Sequence, residues 1–288
     1  MNICIIGLGL LGGSTALILK AKFPHVRIVG VDQSREHCAQ ALVNGIADKV
    51  LPLDLGVSQA DLVVLATPVS SITKLLPAVL DRLPEKGVVM DLGSTKELIC
   101  QVADQHSCRG RFVAAHPIAG TERSGPLAAF GELLPGKQMI LCDTERSDPD
   151  AREMVENIFM RRVGMNFSYM SATDHDRHIA YVSHLSHVSS FALSATVLAK
   201  EQDEESIFAM AGSGFSSTVR LAKSSPAMWA PIFVQNQKNV LEALSAYIKS
   251  LEHFKEILEK DDEIASYQWM QRANEIRRVL SGIQPVEG

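Results

Sequence analysis

A glycine-rich turn close to the N-terminus constrains the fold more than any other feature of this sequence. The apolar run Asn2–Ile6 is followed at once by Gly7, Gly9 and Gly12, in the spacing G-x-G-x-x-G, and helix-forming residues continue to Lys20. In a strand–turn–helix context, the first glycine makes the tight turn and the second lets the backbone approach a pyrophosphate. The third lets the helix pack closely on the strand. The sequence therefore predicts a dinucleotide-binding turn.

Asp32 indicates which dinucleotide is bound. Residues 26–31 are predicted to form the second strand, and Asp32 follows them, twenty residues after Gly12. A carboxylate at this point binds the adenosine ribose hydroxyls of NAD, whereas it would repel the ribose phosphate of NADP. We therefore expect NAD as the cofactor, although Arg35 nearby leaves NADP open.

Apolar runs alternate with helical patterns through the first half of the chain. Further strands are predicted at 61–66, 87–91, 111–115, 138–142 and 163–167, with helices at 70–80, after Lys96 and at 148–161. Strands separated by helical patterns of this length are typical of a parallel sheet. We therefore predict an α/β fold with a Rossmann-type parallel sheet in an N-terminal dinucleotide-binding domain, residues 1–167.

Only helical patterns remain after Phe167. Helices are predicted at 171–200, with Ser171 as N-cap and an acid in the first turn, at 226–259 and at 261–280. We expect an all-helical C-terminal domain, residues 168–288, that supplies walls of the substrate site and the interface of a homodimer. The apolar segment 179–199 is long enough to span a bilayer, but it contains two histidines and several hydroxyl residues, so it is interpreted as a buried helix.

Composition excludes several classes of function. The net charge is −5 and no basic block is interleaved with aromatic residues, so nucleic acid is not expected as a partner. The five cysteines are scattered without a C-x-x-C pair, which indicates reduced thiols rather than disulfides or a zinc site. We therefore expect a cytoplasmic protein with no metal site and no membrane segment.

Candidate site residues follow successive strands of the predicted sheet. Thr67 and Pro68 follow one strand, Ser94 follows the next, and His116 follows the strand at 111–115. Ligands of open parallel sheets bind at this carboxyl edge. Removal of a hydride from a carbon that bears a hydroxyl group also requires an acceptor for the hydroxyl proton, and a neutral imidazole, with an ordinary pKa of ~6.5, suits that role. His116 is therefore the candidate catalytic base.

The chain resembles the prephenate/arogenate dehydrogenases of tyrosine biosynthesis over nearly its whole length. The resemblance rests on five segments: GLGLLGG at 7–13, DLGSTK at 91–96, HPIAGTERSG at 116–125, SHLSH at 183–187 and GFSSTVRLAKSSPAMW at 214–229. It implies an NAD-dependent oxidative decarboxylation of prephenate to 4-hydroxyphenylpyruvate. In such enzymes hydride leaves C4 of the ring while the ring carboxylate departs as CO₂.

The resemblance also implies roles for individual residues. His116 would accept the proton of the C4 hydroxyl, or hydrogen-bond it. Ser94 would orient that imidazole and touch the same hydroxyl. Arg220 would bind a substrate carboxylate. Further expected substrate-binding residues are Glu122, His184, His187 and Trp229, with helix packing open for both histidines and core packing open for the tryptophan.

Departures from the family pattern and three alternatives remain. Ser216 and Ser217 stand where many relatives carry charged residues, and we expect neither a fused chorismate mutase nor a C-terminal regulatory domain. The substrate could be arogenate, which would give tyrosine. A β-hydroxyacid-type dehydrogenase would need a catalytic lysine on the interdomain helix, and none lies between Lys137 and Lys200. An NAD-sensing protein without turnover is the third alternative.

Overall fold

The computed structural model describes residues 1–203 and 207–280. They form two compact units, one of residues 1–239 and one that begins at Val240. The predicted domain limits at 167 and 168 rest on the change from strands to helices, and they stay a prediction.

An eight-stranded sheet forms the centre of the first unit, in the order β3-β2-β1-β4-β5-β6-β7-β8. The strands are β1 Asn2–Ile6, β2 Arg27–Val31, β3 Lys49–Val50, β4 Leu62–Leu65, β5 Val88–Asp91, β6 Phe112–Pro117, β7 Gln138–Cys142 and β8 Asn166–Met170. The first six strands are mutually parallel. The prediction of a Rossmann-type sheet is confirmed.

The last two strands correct the prediction that the whole sheet is parallel. β7 pairs antiparallel with β6, and β8 then runs parallel to β7. Parallel neighbours need a crossover connection, usually a helix. The connection between β6 and β7 holds only two short 3₁₀ turns, Pro126–Ala128 and Gly131–Leu133, so the chain returns in the opposite direction. The apolar pattern of a strand does not indicate whether the strand runs parallel or antiparallel to its neighbour.

Helices cover both faces of the sheet. They are α1 Leu10–Lys22, α2 Arg35–Val43, α3 Leu53–Val57, α4 Val69–Arg82, α5 Glu97–Asp104 and α6 Pro149–Val155, with a π-helical segment at Glu156–Val163 and 3₁₀ turns at Arg109–Arg111 and Thr144–Arg146. The predicted helices are confirmed to within a few residues. The sequence did not predict α2, α3 or β3, and the latter two are too short for a period to develop.

Two apolar layers explain why the central strands read as continuous apolar runs. Side chains of a strand alternate between the two faces of the sheet. Ile3 and Ile5 belong to the core under α1, whereas Cys4 and Ile6 belong to the core under α4 and α5. Because both faces are buried, both sets of side chains are apolar. The candidate residues follow these buried strands and so lie at the carboxyl edge of the sheet.

The helical part of the first unit is interrupted more often than predicted. It comprises α7 Ala172–Ile179, a π-helical turn at Ala180–His184, α8 Leu185–Asp203, a 3₁₀ turn at Ile207–Met210, α9 Ser213–Val219, a 3₁₀ turn at Arg220–Lys223 and α10 Pro226–Gln235. Ser171 caps α7, as predicted, because its hydroxyl accepts a hydrogen bond from the Asp174 backbone at 3.0 Å. The interpretation of 179–199 as a buried helix is wrong for the single chain, since most of α8 after Phe191 is exposed.

The second unit is helical. It contains most of α11 Gln237–Glu259, then α12 Glu263–Ala273, a 3₁₀ turn at Asn274–Ile276 and α13 Arg277–Leu280. The predicted single helix over 226–259 is divided at Asn236, which ends α10 with non-helical dihedral angles. Asp262 caps α12 by accepting a hydrogen bond from the Ala265 backbone at 2.8 Å. None of the helices in the described ranges is long and apolar enough to cross a membrane.

Candidate active site

The glycine-rich turn has the geometry that the sequence predicts. Gly7 has a φ of +99°, and a Cβ atom at this position would lie 2.6 Å from the carbonyl oxygen of Ala66. A Cβ atom on Gly12 would lie 1.9 Å from the carbonyl oxygen of Gly7, so the start of α1 packs directly on the turn. A Cβ atom added to Gly9 would meet no heavy atom within 4 Å. The open space at the start of α1 fits the pyrophosphate of a dinucleotide.

Asp32 is fixed beside this turn by backbone hydrogen bonds. One carboxylate oxygen accepts a hydrogen bond from the Leu8 backbone at 2.8 Å, and the other accepts one from the Ser34 backbone at 2.8 Å. His37 Nδ1 lies 3.6 Å from the carboxylate, whose side chain is 10% exposed. A carboxylate held at the end of β2, next to the glycine turn, fits the diol of an adenosine ribose.

Asp32→Ser is expected to narrow the preference for NAD over NADP. Loss of a charge-assisted hydrogen bond costs about 1.5–3 kcal/mol, so the KM for NAD should rise roughly tenfold to a hundredfold while that for NADP changes less. Initial rates with both cofactors measure this. Asp48→Ser is a matched control because Asp48 also accepts a backbone hydrogen bond, from Ile28 at the other end of β2. Equal use of both cofactors by the unmodified protein would contradict the role of Asp32.

Thr67 and Pro68 follow β4 at the same edge of the sheet. The Thr67 methyl group lies close to Gly7, and its hydroxyl oxygen is buried without a hydrogen-bond partner in the described chain. Pro68 is exposed and immediately precedes α4. Thr67 borders the glycine turn, and a hydroxyl without a partner among the described residues at this place fits a polar ligand atom. The role of both residues in cofactor binding stays a prediction.

His116 lies at the end of β6 and contacts a residue that the sequence did not predict. Its side chain is buried, and its Nδ1 atom lies 2.8 Å from Nε2 of His175, with the two rings in an edge-to-face arrangement. His175 Nδ1 lies 2.7 Å from the carboxylate of Asp176. The Asp176 carboxylate also accepts hydrogen bonds from the backbone of Lys96 at 2.7 Å and of Glu97 at 3.0 Å. We refer to His116, His175 and Asp176 as the histidine chain.

A signal for the hidden members of the histidine chain exists in the sequence. Ala172, His175, Asp176 and Ile179 are the buried residues of α7, at the spacing i, i+3, i+4, i+7 of one helix face. Two polar residues on an otherwise apolar helix face need buried partners. The partner of His175 is 59 positions away in the chain, however, and no local pattern connects them.

The environment of His116 keeps its imidazole neutral. Burial lowers its pKa well below the ordinary value, and the nearby positive charges of His175, Lys96 and His184, when these are protonated, act in the same direction. The Nε2 atom of His116 forms no hydrogen bond in the described chain and is not fully enclosed. An unprotonated imidazole with one free nitrogen at a ligand-binding edge can accept a proton.

Ser94 does not orient this imidazole in the structure. It is half-buried after β5, and its hydroxyl forms no hydrogen bond in the described part of the chain. The hydrogen bond that orients the imidazole of His116 joins its Nδ1 atom to His175. A direct contact of the Ser94 hydroxyl with substrate stays a prediction.

A buried ion pair supports the strand end that carries His116. Lys96 and Asp91 form this pair, and both side chains are fully buried. The Lys96 ammonium group also donates to the carbonyl oxygen of Ala115 at 2.8 Å, and the Asp91 carboxylate accepts a hydrogen bond from the Ala115 backbone at 3.2 Å. Both backbone groups of the residue before His116 are therefore bound by this pair.

His184 is a buried hydrogen-bond donor without a partner in the described ranges. The side-chain amide of Asn236 donates to the carbonyl oxygen of Asp176 at 2.7 Å and to Nδ1 of His184 at 3.1 Å. Its oxygen accepts a hydrogen bond from Asn239 at 2.7 Å, which fixes the orientation of the amide. Because Nδ1 accepts, the proton of neutral His184 is on Nε2, which has no partner among the described residues. Burial lowers the pKa of His184 to about 4, so this tautomer is neutral at neutral pH.

The ring of Trp229 contacts both histidines of the SHLSH segment, His184 and His187. Its ring stacks on His187 with the centroids 3.5 Å apart, and His184 meets it edge-on at 5.8 Å. His187 Nδ1 donates to the carbonyl oxygen of Ser183 at 2.9 Å. The Trp229 ring is buried against Val69, yet its indole nitrogen has no partner in the described chain. The predicted shared face of the two histidines is observed, and the rings of His184 and Trp229 each hold a buried nitrogen without a hydrogen-bond partner among the described residues.

Arg220 and Glu122 lie together, as their expected roles imply. The guanidinium group of Arg220 lies 3.4 Å from the Glu122 carboxylate, and the two side chains are 54% and 33% exposed. The positive charge of Arg220 contributes to a lowered pKa of His187, after the larger effect of burial, so the guanidinium group lies near that ring. Ser217 Oγ donates to the carbonyl oxygen of Gly214 at 3.3 Å and adds no charge here.

Fold and site together define an oxidoreductase that uses a dinucleotide cofactor. Two family models match the chain: the nucleotide-binding domain of prephenate dehydrogenase at residues 15–167 and the prephenate dehydrogenase dimerization domain at residues 171–272. The chain belongs to the prephenate dehydrogenase family, which confirms the resemblance seen in the sequence.

Known proteins match this chain over nearly its whole length. The prephenate dehydrogenase of Bacillus subtilis is 31% identical over 96% of this chain and 75% of its own length. A crystal structure of Aquifex aeolicus prephenate dehydrogenase with hydroxyphenyl propionate and NAD⁺ is 33% identical, covers 97% of this chain and 98% of its own, and has a TM-score of 0.89. Synechocystis arogenate dehydrogenase is 26% identical, covers 97% of this chain and 100% of its own, and has a TM-score of 0.77.

Proposed function

We propose that this protein catalyses the NAD-dependent oxidative decarboxylation of prephenate to 4-hydroxyphenylpyruvate. The observation that carries the proposal is the neutral, buried imidazole of His116 with a free Nε2 at the carboxyl edge of a dinucleotide-binding sheet. The matching relatives support the substrate class, since the Bacillus subtilis and Aquifex aeolicus proteins are prephenate dehydrogenases.

His116 moves one proton in this mechanism. Bound NAD supplies the acceptor for the hydride that leaves C4. His116 Nε2 takes the proton of the C4 hydroxyl as the hydride departs, so that the oxygen gains carbonyl character. Loss of the ring carboxylate as CO₂ then returns an electron pair to this oxygen, the ring becomes aromatic, and the proton returns from His116. Atoms and charges balance without another co-reactant.

Two groups of the site suit the carboxylates of the substrate. A guanidinium group binds a carboxylate through a planar pair of hydrogen bonds. Arg220 is more than half exposed, and its side chain contacts only the Glu122 carboxylate among the polar groups of the described residues. The Nε2–H group of His184 is a buried donor without a partner in the described chain. We propose that Arg220 and His184 bind oxygens of prephenate, with Glu122, His187 and Trp229 shaping the pocket around them.

Arg220→Gln is expected to raise the KM for prephenate. Loss of a charge-assisted hydrogen bond costs about 1.5–3 kcal/mol, which corresponds to roughly tenfold to a hundredfold in KM, while the KM for NAD should not change. Glu122→Gln is the matched control, because it removes the other half of the ion pair and leaves the guanidinium group charged. If the pair is only a surface contact, both variants will keep a KM within about twofold of the unmodified protein.

Initial rates with prephenate and with arogenate test the proposed function. We expect NADH, CO₂ and 4-hydroxyphenylpyruvate from prephenate and a lower kcat/KM with arogenate. Tyrosine production from arogenate at the higher efficiency would favour the arogenate dehydrogenase alternative. Oxidation of a β-hydroxyacid, or NAD binding with no turnover of either cyclohexadiene, would favour the remaining alternatives.

We further propose a homodimer formed through the helical part of the chain. Large apolar side chains are exposed on α8, including Leu193 and Leu198, and on α11, including Leu241, Ile248 and Leu251. Exposed apolar side chains of this kind on a helix are typical of an interaction site, and the matching C-terminal family model is a dimerization domain. Light scattering should give twice the monomer mass of 31.4 kDa over a wide concentration range. A monomer at all concentrations would contradict this.

A cytoplasmic location is the last part of the proposal. All five cysteines are free, and Cys4, Cys100 and Cys142 are buried. Burial raises the pKa of Cys4 to about 12, so this thiol is unreactive at neutral pH. Unpaired cysteines in a fold of this size favour a reducing compartment.

A further inference from the structure

We propose that His175 and Asp176 are positioning residues that hold His116 in the tautomer with its proton on Nδ1, leaving Nε2 free to accept a proton. The inference rests on the proposed function for its kinetic consequence, but not for its structural content. It assigns roles to two residues that neither the sequence motifs nor the family resemblance singled out.

The direction of every hydrogen bond in the histidine chain follows from its Asp176 end. The Asp176 carboxylate accepts two backbone N–H groups, from Lys96 and Glu97, so it is present as an acceptor. His175 Nδ1, 2.7 Å away, must therefore donate to it. Burial lowers the pKa of His175, so its imidazole is neutral and its Nε2 carries a lone pair. His116 Nδ1, 2.8 Å from that lone pair, must then donate.

The opposite tautomer of His116 has no satisfactory arrangement in this structure. With the proton on Nε2, the Nδ1 lone pair of His116 would face the lone pair of His175 at 2.8 Å. If His175 changed tautomer as well, its own lone pair would face the Asp176 carboxylate at 2.7 Å. Each arrangement replaces a buried hydrogen bond with a repulsive contact, and the side chains of His175 and Asp176 are almost completely buried.

The histidine chain also links His116 to the start of helix α5. Asp176 binds the backbone just before and at the start of α5, while the same residue is part of α7. When His116 takes a proton at Nε2, the imidazolium retains its Nδ1–H bond towards His175, and the Asp176 carboxylate lies at the far end of that bond. The positive charge that forms on His116 is therefore stabilised by a carboxylate without direct contact.

Nitrogen NMR of the free protein tests the tautomer directly. The protein is labelled with ¹⁵N-histidine, and the signals of His116 and His175 among nine histidines are assigned by their loss in His116→Asn and His175→Phe. We expect both imidazoles to be neutral and protonated on Nδ1 near pH 7. In Asp176→Asn the amide can present a donor to His175, and both histidines should shift towards the Nε2–H form. An Nε2–H form of His116 in the unmodified protein, or an unchanged tautomer in Asp176→Asn, would overturn the proposal.

Kinetics separate positioning from general stability. Asp176→Asn should lower kcat by about 10²-fold or more, because positioned proton transfer is worth roughly 10²–10⁴-fold, while the KM for prephenate changes little. Asp143→Asn is the matched control: Asp143 accepts a hydrogen bond from Ala172 in the first turn of α7 at 2.9 Å, with a φ of +47° that asparagine tolerates. It should retain kcat. Near-normal kcat in Asp176→Asn, with its fold intact, would overturn the proposed role.

A second variant keeps the test informative if Asp176→Asn does not fold. His175→Phe removes the acceptor of His116 but leaves the Asp176 bonds to Lys96 and Glu97 in place, and we expect it to release the tautomer of His116 and to lower kcat to a similar extent. Retention of the Nδ1–H form of His116 in this variant would overturn the proposal. Because the NMR experiment uses neither substrate nor cofactor, the proposed function can fail while the tautomer assignment stands.

Discussion

His116→Asn is expected to lower kcat by roughly 10²–10⁴-fold while the KM for prephenate changes little, because the proton is transferred only in the transition state. Asparagine keeps a polar group of similar size next to His175 but cannot take the proton. Steady-state kinetics at saturating NAD measure the effect. His178→Asn, an exposed histidine of α7, is the control and should retain full activity. Near-normal turnover in His116→Asn would remove this residue from the mechanism.

The pH dependence of kcat/KM in the unmodified protein should also show that His116 acts as the base. Burial lowers the pKa of His116 well below its ordinary value of ~6.5. The base is unprotonated above its pKa, so kcat/KM should stay constant through pH 6.5 and fall only at more acidic pH. A decline of kcat/KM centred at 6.5 would indicate that a more exposed histidine acts as the base.

Lys96→Met is expected to have the largest effect on stability. Removal of one partner from a buried ion pair leaves an uncompensated charge, which costs about 3–5 kcal/mol of the free energy of unfolding. Here the remaining charge would be the Asp91 carboxylate, at a site where neither side chain is exposed. Denaturant unfolding, with the midpoint and slope compared with the unmodified protein, measures the loss.

The double variant Lys96→Met with Asp91→Asn is the matched control. It removes both charges but keeps an acceptor for the backbone of Ala115 or Gly93, and replacement of a whole buried pair is often near neutral. We expect it to recover most of the stability lost in the single variant. A loss below about 1 kcal/mol in Lys96→Met would mean that Asp91 is neutral or reached by water.

Local signals explain what the sequence predicted well. Backbone geometry and short-range contacts determine the conformation at Gly7, Gly9, Gly12 and Asp32, so the sequence spacing predicts the shape of the proposed cofactor site. The same holds for the cap at Ser171. His116 was predicted as the base because it ends a strand, and strand ends of a parallel sheet meet at one edge.

Long-range contacts explain what the sequence did not predict. His175 reaches His116 across 59 positions, and Asp176 reaches Lys96 across 80. The antiparallel direction of β7 depends on a connection without a helix, and the exposure of α8 depends on what covers it. The break at Asn236 places an amide between His184 and Asp176, a role that a helical period cannot reveal.

The π-helical turn at Ala180–His184 changes the direction in which His184 points relative to His175. An α-helix advances about 100° per residue, so nine residues of uninterrupted helix would place His184 roughly on the opposite side from His175. One additional residue in the wide turn returns it to within about 80°, where Asn236 can bind both His184 and the backbone of Asp176. If this turn were a regular α-helix of the same length, all of α8 would be rotated by about 100°, and the donor at His184 would lie away from the proposed base His116. The wide hydrogen-bonding pattern of this turn is therefore as much a part of the proposed active site as the residues themselves.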